Sequence, residues 1–218
     1  PHQPRRQRQM CIRDRIDIIN GHGKVLPGKK VSVSNGKKTE EYLAKHIIIA
    51  TGARSRELPA IPQNGKNIIG YRKAMTLEKQ PKKLVVIGSG AIGIEFAYFY
   101  NTMGTEVVIV EYLDRILPVE DEEVSKQLER SFKKSGIKIF TNAEVKKVET
   151  KNKSVDVIIK TKSNEERLNA DIVLSAVGIK TNIENIGLED VGIAVDNDKI
   201  MVNNFYQTNL PGYYAIGD

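Results

Sequence analysis

The sequence predicts an α/β protein organised on a parallel, doubly wound sheet, and three adjoining observations between Lys82 and Glu111 carry that prediction. Leu84 to Ile87 is a short apolar, β-branched run of the kind buried on both faces of a sheet, and it breaks at Gly88 into G-S-G-A-I-G. From Ala91 to Met103 the apolar residues Ile92, Phe96, Phe99 and Met103 recur at helical spacing. Gly104 stops that helix, Val107 to Val110 reads as a second buried strand, and Glu111 stands at its carboxyl end. Together these make a βαβ unit.

A glycine turn between strand and helix has a chemical use. Gly88 permits the tight turn, Gly90 lets a diphosphate approach the backbone, and Gly93 allows the helix to pack closely on the strand. The free N-H groups and positive dipole end of the helix then meet the phosphates. Glu111 lies 18 residues beyond Gly93, close to the ~20 at which an acidic side chain accepts hydrogen bonds from the adenosine ribose hydroxyls. A carboxylate there repels a 2'-phosphate, and no Arg or Lys stands among Val110, Tyr112 and Leu113. The pattern therefore reads as a Rossmann-like site for NAD(H) rather than NADP(H).

Composition excludes several other classes. A chain of 218 residues with 40% hydrophobic content buries a real core as one large domain or two small ones. Its longest apolar runs are strand-length, so no membrane span is expected. Of the net charge of +7, +4 sits in residues 1 to 15, and the other 203 residues carry a mild +3 spread over Lys-rich surfaces. That placement describes a solvated face rather than a nucleic-acid stripe. Cys11 is the single cysteine, and His2, His22 and His46 are scattered, so no disulfide and no zinc site are expected. This composition is compatible with a reduced, cytoplasmic setting.

Residues 1 to 15 are polar and Arg-rich without an apolar centre, so they do not read as a signal peptide, and the abrupt change at Ile16 reads as a non-native leader. Strands are then expected at Ile16 to Ile19, Val31 to Ser34 and Tyr42 to Ala50, with GHGKVLPGKK and NGKK as the turns between them. The last strand runs into the small-residue turn Ala50-Thr51-Gly52-Ala53, and a Pro-rich exit leads to a short helical pattern around Ala74 to Leu77. After the central unit, Glu120 to Glu123 supply acid to the first turn of a helix running to about Ser135, with Lys133 and Lys134 at its other end. Ile137 to Phe140 reads as a third parallel-type strand, Glu144 to Glu149 and Val155 to Lys160 as a meander, and Leu168 to Val177 as one buried strand closed by Gly178. A short irregular or helical segment from Asn182 to Gly192 and a strand-like stretch from Lys199 to Gln207 complete the chain.

Five ordered stretches, ATGA at 50 to 53, GSGAIGIEFA at 88 to 97, GTEVVIVEYLDRILP at 104 to 118, AVGIKTN at 176 to 182 and YYAIGD at 213 to 218, resemble the flavoprotein disulfide reductases with two dinucleotide-binding domains. Within that family the pattern is similar to that of the dihydrolipoyl dehydrogenase branch. The resemblance covers about residues 16 to 218 and implies a complete NAD domain beside a partial FAD domain, with 16 to 75 and 191 to 218 in the FAD part and 76 to 190 in the NAD part. It implies that Gly88, Ser89, Gly90, Ala91, Ile92, Gly93, Ile94 and Glu95 cradle NAD, with Glu95 near the nicotinamide and flavin rings. Glu111 would take the adenosine ribose, and Val145 and Gly178 would line the pocket. On the FAD side it implies Thr51, Gly52 and Ala53 against the cofactor, Gly23 near its adenosine part, and Asp218 on a flavin ribose hydroxyl.

The same resemblance places a redox cysteine pair before Ile16 and a dimerisation domain with a His-Glu base after Asp218. The chain accordingly reads as an internal fragment that carries no catalytic residue and does not by itself turn over dihydrolipoamide. Ile179 and Lys180 stand where family members often carry Arg after the glycine corresponding to Gly178. In the complete enzyme, lipoyl domains of 2-oxo acid dehydrogenase complexes would be the partners and a homodimer the assembly. Other flavoreductases, namely an NADH oxidase, a CoA-disulfide reductase or a mercuric reductase, and a bare NAD-binding module are the alternative readings.

Overall fold

A computed structural model describes residues 16–152 and 154–218; residues 1 to 15, Cys11 among them, lie outside the described residues. The chain divides into two compact units, one formed by the chain up to Ala53 together with Thr181–Asp218, the other by Arg54–Lys180. These divisions fall at 53/54 and 180/181, whereas the sequence placed them at 75/76 and 190/191.

In the first unit β1 (His22–Leu26), β2 (Lys30–Ser34) and β3 (Thr39–Leu43) form an antiparallel sheet, and β4 (Ile47–Ile49) belongs to a different one. The residues His22 to Leu26, expected in a turn, are a strand because Val25 registers with Val31 and is buried in the unit's core. Conversely, Ile16 to Ile19 is not a strand, and Ile16 and Ile19 are exposed. The expected continuous strand from Tyr42 to Ala50 is broken after Leu43. Ala44 N-H donates to Lys29 O at 3.0 Å, closing one sheet, while Ile47 N-H donates to Gly212 O at 2.9 Å, opening the other. A strand that changes partners has to stop and restart.

The second unit carries the predicted parallel sheet. After β5 (Ala53–Ser55) come β6 (Ile68–Ile69), the single-turn α1 (Tyr71–Ala74), β7 (Lys83–Ile87), α2 (Ala91–Thr102), β8 (Glu106–Val110), α3 (Glu122–Lys134) and β9 (Lys138–Phe140). There follow β10 (Glu144–Thr150), β11 (Val155–Lys160), β12 (Glu165–Ala170), β13 (Ile172–Ser175) and β14 (Ile179–Thr181). The sheet order is β6-β13-β7-β8-β9, and its pairs are all parallel. From β7 the chain winds outward through β8 and β9, then returns on the other side of β7 as β13. The carboxyl end of β7 is thus a topological switch point, where an open α/β sheet leaves its ligand crevice.

Each face of the sheet is covered differently. Leu84 and Val86 pack beneath α2 and α3 with Ile94, Ala97, Tyr100 and Phe132. Val85 and Ile87 point the opposite way, into a core shared with Val155, Val157 and Ile159 of the antiparallel meander β10-β11-β12. A strand buried on both faces has no polar side to show, which is why its sequence is a continuous apolar run. The stretch Leu168 to Val177, expected as one strand, is two. The Asp171 carboxylate accepts from Lys82 N-H at 2.8 Å and Lys83 N-H at 3.0 Å, and at that point the chain leaves the meander for the sheet. Helix α3 begins at Glu122 because the Asp121 side chain caps it, accepting from Glu123 N-H at 2.8 Å.

On β11, Asp156 is buried among cations and amides. Lys151 Nζ stands at 2.5 Å and Arg167 Nη1 at 3.0 Å from Oδ2, and Asn169 donates to Oδ1 at 2.6 Å. The hydrogen bonds from Lys151 and then Asn169 hold its carboxyl down to about 2. A carboxyl held below its unfolded value stabilises the fold above about pH 4, and that contribution is lost as the pH falls towards 2. The melting temperature of Asp156→Asn should therefore lie below that of the parent chain at pH 5–7, with the gap closing between about pH 4 and pH 2. A gap independent of pH would refute this.

The first unit resumes with α4 (Leu188–Val191), the hairpin of β15 (Val195–Asp196) and β16 (Lys199–Ile200), and β17 (Tyr213–Ala215), which pairs in parallel with β4. The expected strand from Lys199 to Gln207 ends at Ile200. Asn203 Oδ1 accepts from Phe205 N-H at 2.9 Å and Gln207 N-H at 3.1 Å, bending the backbone into a turn. Among the described residues no helix is long and apolar enough to cross a membrane, and no group of three His, Cys, Asp or Glu gathers as a metal site.

Candidate dinucleotide-binding site

Gly88 takes a φ of +92°, and a Cβ there would meet Ala176 O at 2.5 Å, so the turn after β7 admits only glycine. A Cβ on Gly93 would lie 2.1 Å from Gly88 O, which is how closely α2 approaches the strand before it. Gly90 differs. It is the N-cap of α2 without a side-chain hydrogen bond, and the space its missing Cβ leaves is open for 4 Å. The N-H groups of the first helical turn have no intrahelical partner. An open backbone, unpaired donors and a positive helix end fit a diphosphate.

The turn forms one wall of a cavity of about 860 Å³ in the second unit, within the ~300–1,000 Å³ usual for ligand clefts. Gly88, Ser89, Gly90, Ala91, Ile92, Glu111, Val145 and Gly178 all line it, so the structure brings together eight of the eleven residues expected on the NAD side. Val145 is delivered by β10 beside a bulge between Val145 and Lys147, and Gly178 follows β13 with a φ of +107°. Gly93 and Ile94 do not reach the cavity; they are buried under the turn and in the core. Glu95 lies elsewhere, on a second cavity of about 460 Å³ lined by Phe96, Phe99, Tyr100 and Met103.

Glu111 is held on all sides. Its N-H donates to Phe140 O at 2.8 Å, and its carbonyl accepts from Ala143 N-H at 2.9 Å. The residue is 7% exposed. Oε2 accepts from Ser89 N-H at 2.8 Å and Ser89 Oγ at 2.5 Å, and Oε1 accepts from Leu113 N-H at 2.9 Å. Within the stretch expected to cradle NAD, the Ser89 N-H is thus committed to the carboxylate.

Sequence reasoning missed part of the wall. Leu117 adopts a φ of +49° and donates its N-H to Ser89 O at 2.9 Å, carrying Pro118 and Val119 to the cavity. A leucine in the left-handed region carries backbone strain, which collects at functional sites. Arg56 was also missed. Its N-H donates to Gly178 O at 2.9 Å and its Nη2 to Ile179 O at 3.2 Å, placing a guanidinium beside the segment where the sequence shows Ile179 instead of Arg. The carbonyl of a glycine 122 positions away in sequence gives no local signal.

In the first unit, Thr51, Gly52 and Asp218 follow the carboxyl ends of the parallel neighbours β4 and β17, with Ile216 N-H on Ile49 O at 3.1 Å. Asn182 N-H donates to Gly52 O at 2.9 Å, and its Nδ2 donates to Thr51 O at 3.1 Å; Ala53 is buried, while Asp218 is exposed. Gly23 lies in a different sheet of that unit, opposite Val33 on β2.

Known proteins are similar to this chain in sequence and in fold. The chain is 43% identical to dihydrolipoyl dehydrogenase of Rhizobium etli over 94% of its length and 46% of that protein's. It is 43% identical to the enzyme of the same name from Zymomonas mobilis over 94% of its length and 45% of that protein's. It therefore spans about half the length of the curated relatives it matches. Its fold superposes on LpdA from Mycobacterium tuberculosis with a TM-score of 0.86 at 28% identity, covering 97% of this chain and 47% of that one. It likewise matches the HOCl-induced flavoprotein disulfide reductase RclA from Escherichia coli with a TM-score of 0.84 at 25% identity, covering 98% of this chain and 48% of that one. The family described as pyridine nucleotide-disulphide oxidoreductase matches residues 3–218, and with this coverage the chain belongs to that family.

Proposed function

We propose that Arg54–Lys180 is the NAD(H)-binding part of a flavoprotein disulfide reductase of the dihydrolipoyl dehydrogenase type. The observation that carries this reading is the pairing of an open glycine turn at Gly90 with the buried carboxylate of Glu111 in one cavity. The N-H groups from Gly90 onward would hold the diphosphate, and Oε1 of Glu111 would accept from the adenosine ribose. Val145, Val177 and Gly178 supply an apolar wall that excludes water from the rest of the coenzyme. Nicotinamide and flavin, when bound, supply the hydride and electron transfer; this chain's residues supply binding and orientation.

In the complete enzyme the turn at Thr51 to Ala53 and the carboxylate of Asp218, at the ends of neighbouring parallel strands, would hold part of FAD. Gly23 and Glu95 belong to the proposed cofactor contacts on family grounds, as do lipoyl domains as partners, a homodimer and a cytoplasmic location. Titration of the 218-residue chain with NADH, followed by nucleotide fluorescence, should give saturable micromolar binding, with NADPH at least about tenfold weaker because its 2'-phosphate meets a carboxylate. Equal binding of the two coenzymes would refute the reading of Glu111, and binding of neither would refute the site.

A further inference from the structure

Ser89 has no exposed surface, and both of its donors go to one atom, Oε2 of Glu111, from the N-H at 2.8 Å and from Oγ at 2.5 Å. Its carbonyl is fixed as well, accepting from Leu117 N-H at 2.9 Å. A carboxylate offers about four lone-pair positions. Ser89 fills those of Oε2, Leu113 N-H takes one on Oε1 at 2.9 Å, and one position on Oε1 remains on a residue that lines the cavity. We infer that Ser89 is a positioning residue for coenzyme selection: its hydroxyl clamps Oε2 of Glu111 so that Oε1 is the single acceptor presented to the adenosine ribose. The inference rests on the NAD(H) reading of the site.

Two consequences follow from the direction of the hydrogen bond. A hydroxyl has one proton, and at Ser89 that proton is spent on a carboxylate. Ser89 therefore has no proton left to donate to a 2'-phosphate. The clamp also ties the glycine turn to the end of β8, so the diphosphate site and the ribose site keep a constant spacing before any coenzyme arrives. Alanine at position 89 keeps the N-H contact and removes that of the hydroxyl, leaving Oε2 with one donor instead of two.

The test is a double-mutant cycle on the full 218-residue chain, with NADH and NADPH as probes. Ser89→Ala should weaken NADH by about 3- to 10-fold, as expected when a hydrogen bond to a charged group is lost, and change NADPH by less than about twofold. In a Glu111→Ala background the same substitution should change NADH by less than about twofold, because a residue acting through Glu111 has nothing left to act on. Equal weakening of both coenzymes, or an undiminished effect in the Glu111→Ala background, overturns the inference. Should the alanine variant unfold below the assay temperature, Ser89→Gly carries the same expectations without needing side-chain space. Failure of the underlying reading is distinguishable, since it appears in the parent chain as equal or absent binding of the two coenzymes.

Discussion

Gly93→Ala lowers the melting temperature by about 6–12 °C and abolishes measurable NADH binding. The added methyl would sit 2.1 Å from Gly88 O, and a backbone carbonyl cannot swing aside as a side-chain tip can. Either α2 lifts from β7 or the turn at Gly88 opens. Gly88 has no room to yield, because its own φ of +92° and its approach to Ala176 O already confine it. Overpacking of this kind costs about 3 kcal/mol at the upper end of its usual range, and in a chain of this size each kcal/mol moves the transition by about 2–4 °C. Gly90→Ala is the control. Its φ of −68° suits any residue, and its Cβ would meet nothing within 4 Å. Its stability should change by less than about 1 kcal/mol, while the methyl occupies the place of the diphosphate and weakens NADH by at least about tenfold. Thermal melting and nucleotide titration on both variants check the pair. A Gly93→Ala chain that melts with the parent would mean that helix and strand are not packed as described.

Glu111→Gln shifts the preference between NADH and NADPH by about 10- to 100-fold, the second large effect. The glutamine is isosteric, but its amide has one acceptor atom where the carboxylate has two. Placed toward Ser89, its oxygen keeps those donors and its NH2 faces Leu113 N-H; turned the other way, the NH2 faces Ser89. Either orientation loses a hydrogen bond to a charged group, worth about 1.5–3 kcal/mol, and neither leaves a carboxylate for the ribose. Removing the charge also lifts the repulsion on a 2'-phosphate, which for unit charges about 4 Å apart near a surface is about 4 kcal/mol before further screening. NADH should weaken and NADPH should strengthen. Parallel titrations of the variant read the ratio directly, and an unchanged ratio would remove Glu111 from the role of ribose reader.

The elements legible in the sequence were those whose residues see only local or fully buried surroundings. The run from Leu84 to Ile87 is apolar because both faces of β7 are covered, and the glycines at 88, 90 and 93 mark a turn whatever lies around it. Asp121, within the acidic run that heads α3, signals a helix start through chemistry confined to one turn. The breaks at Ala44 and Asp171 were not legible, because each depends on which strand is the next partner: Lys29 and Gly212 at one, Lys82 and Lys83 at the other. Hydrophobic periodicity is the same on either side of such a break. His22 to Leu26 failed for the related reason that a glycine-bounded run becomes a strand only when a neighbour pairs with it.

The order of residue types along the chain was enough to specify a βαβ unit with a glycine turn and a carboxylate at the tip of the second strand, because strand, turn and helix propensities act over a few residues. Tertiary packing alone decided that Ser89 and Glu111 hold one another across 22 positions of sequence, that Arg56 stands beside Gly178, and that Leu117 is forced into the left-handed region to close the wall. Hydrogen bonds reach about 3 Å through space without regard to separation along the chain. Which donors meet a given carboxylate is therefore settled only when the sheet has brought its strand ends together.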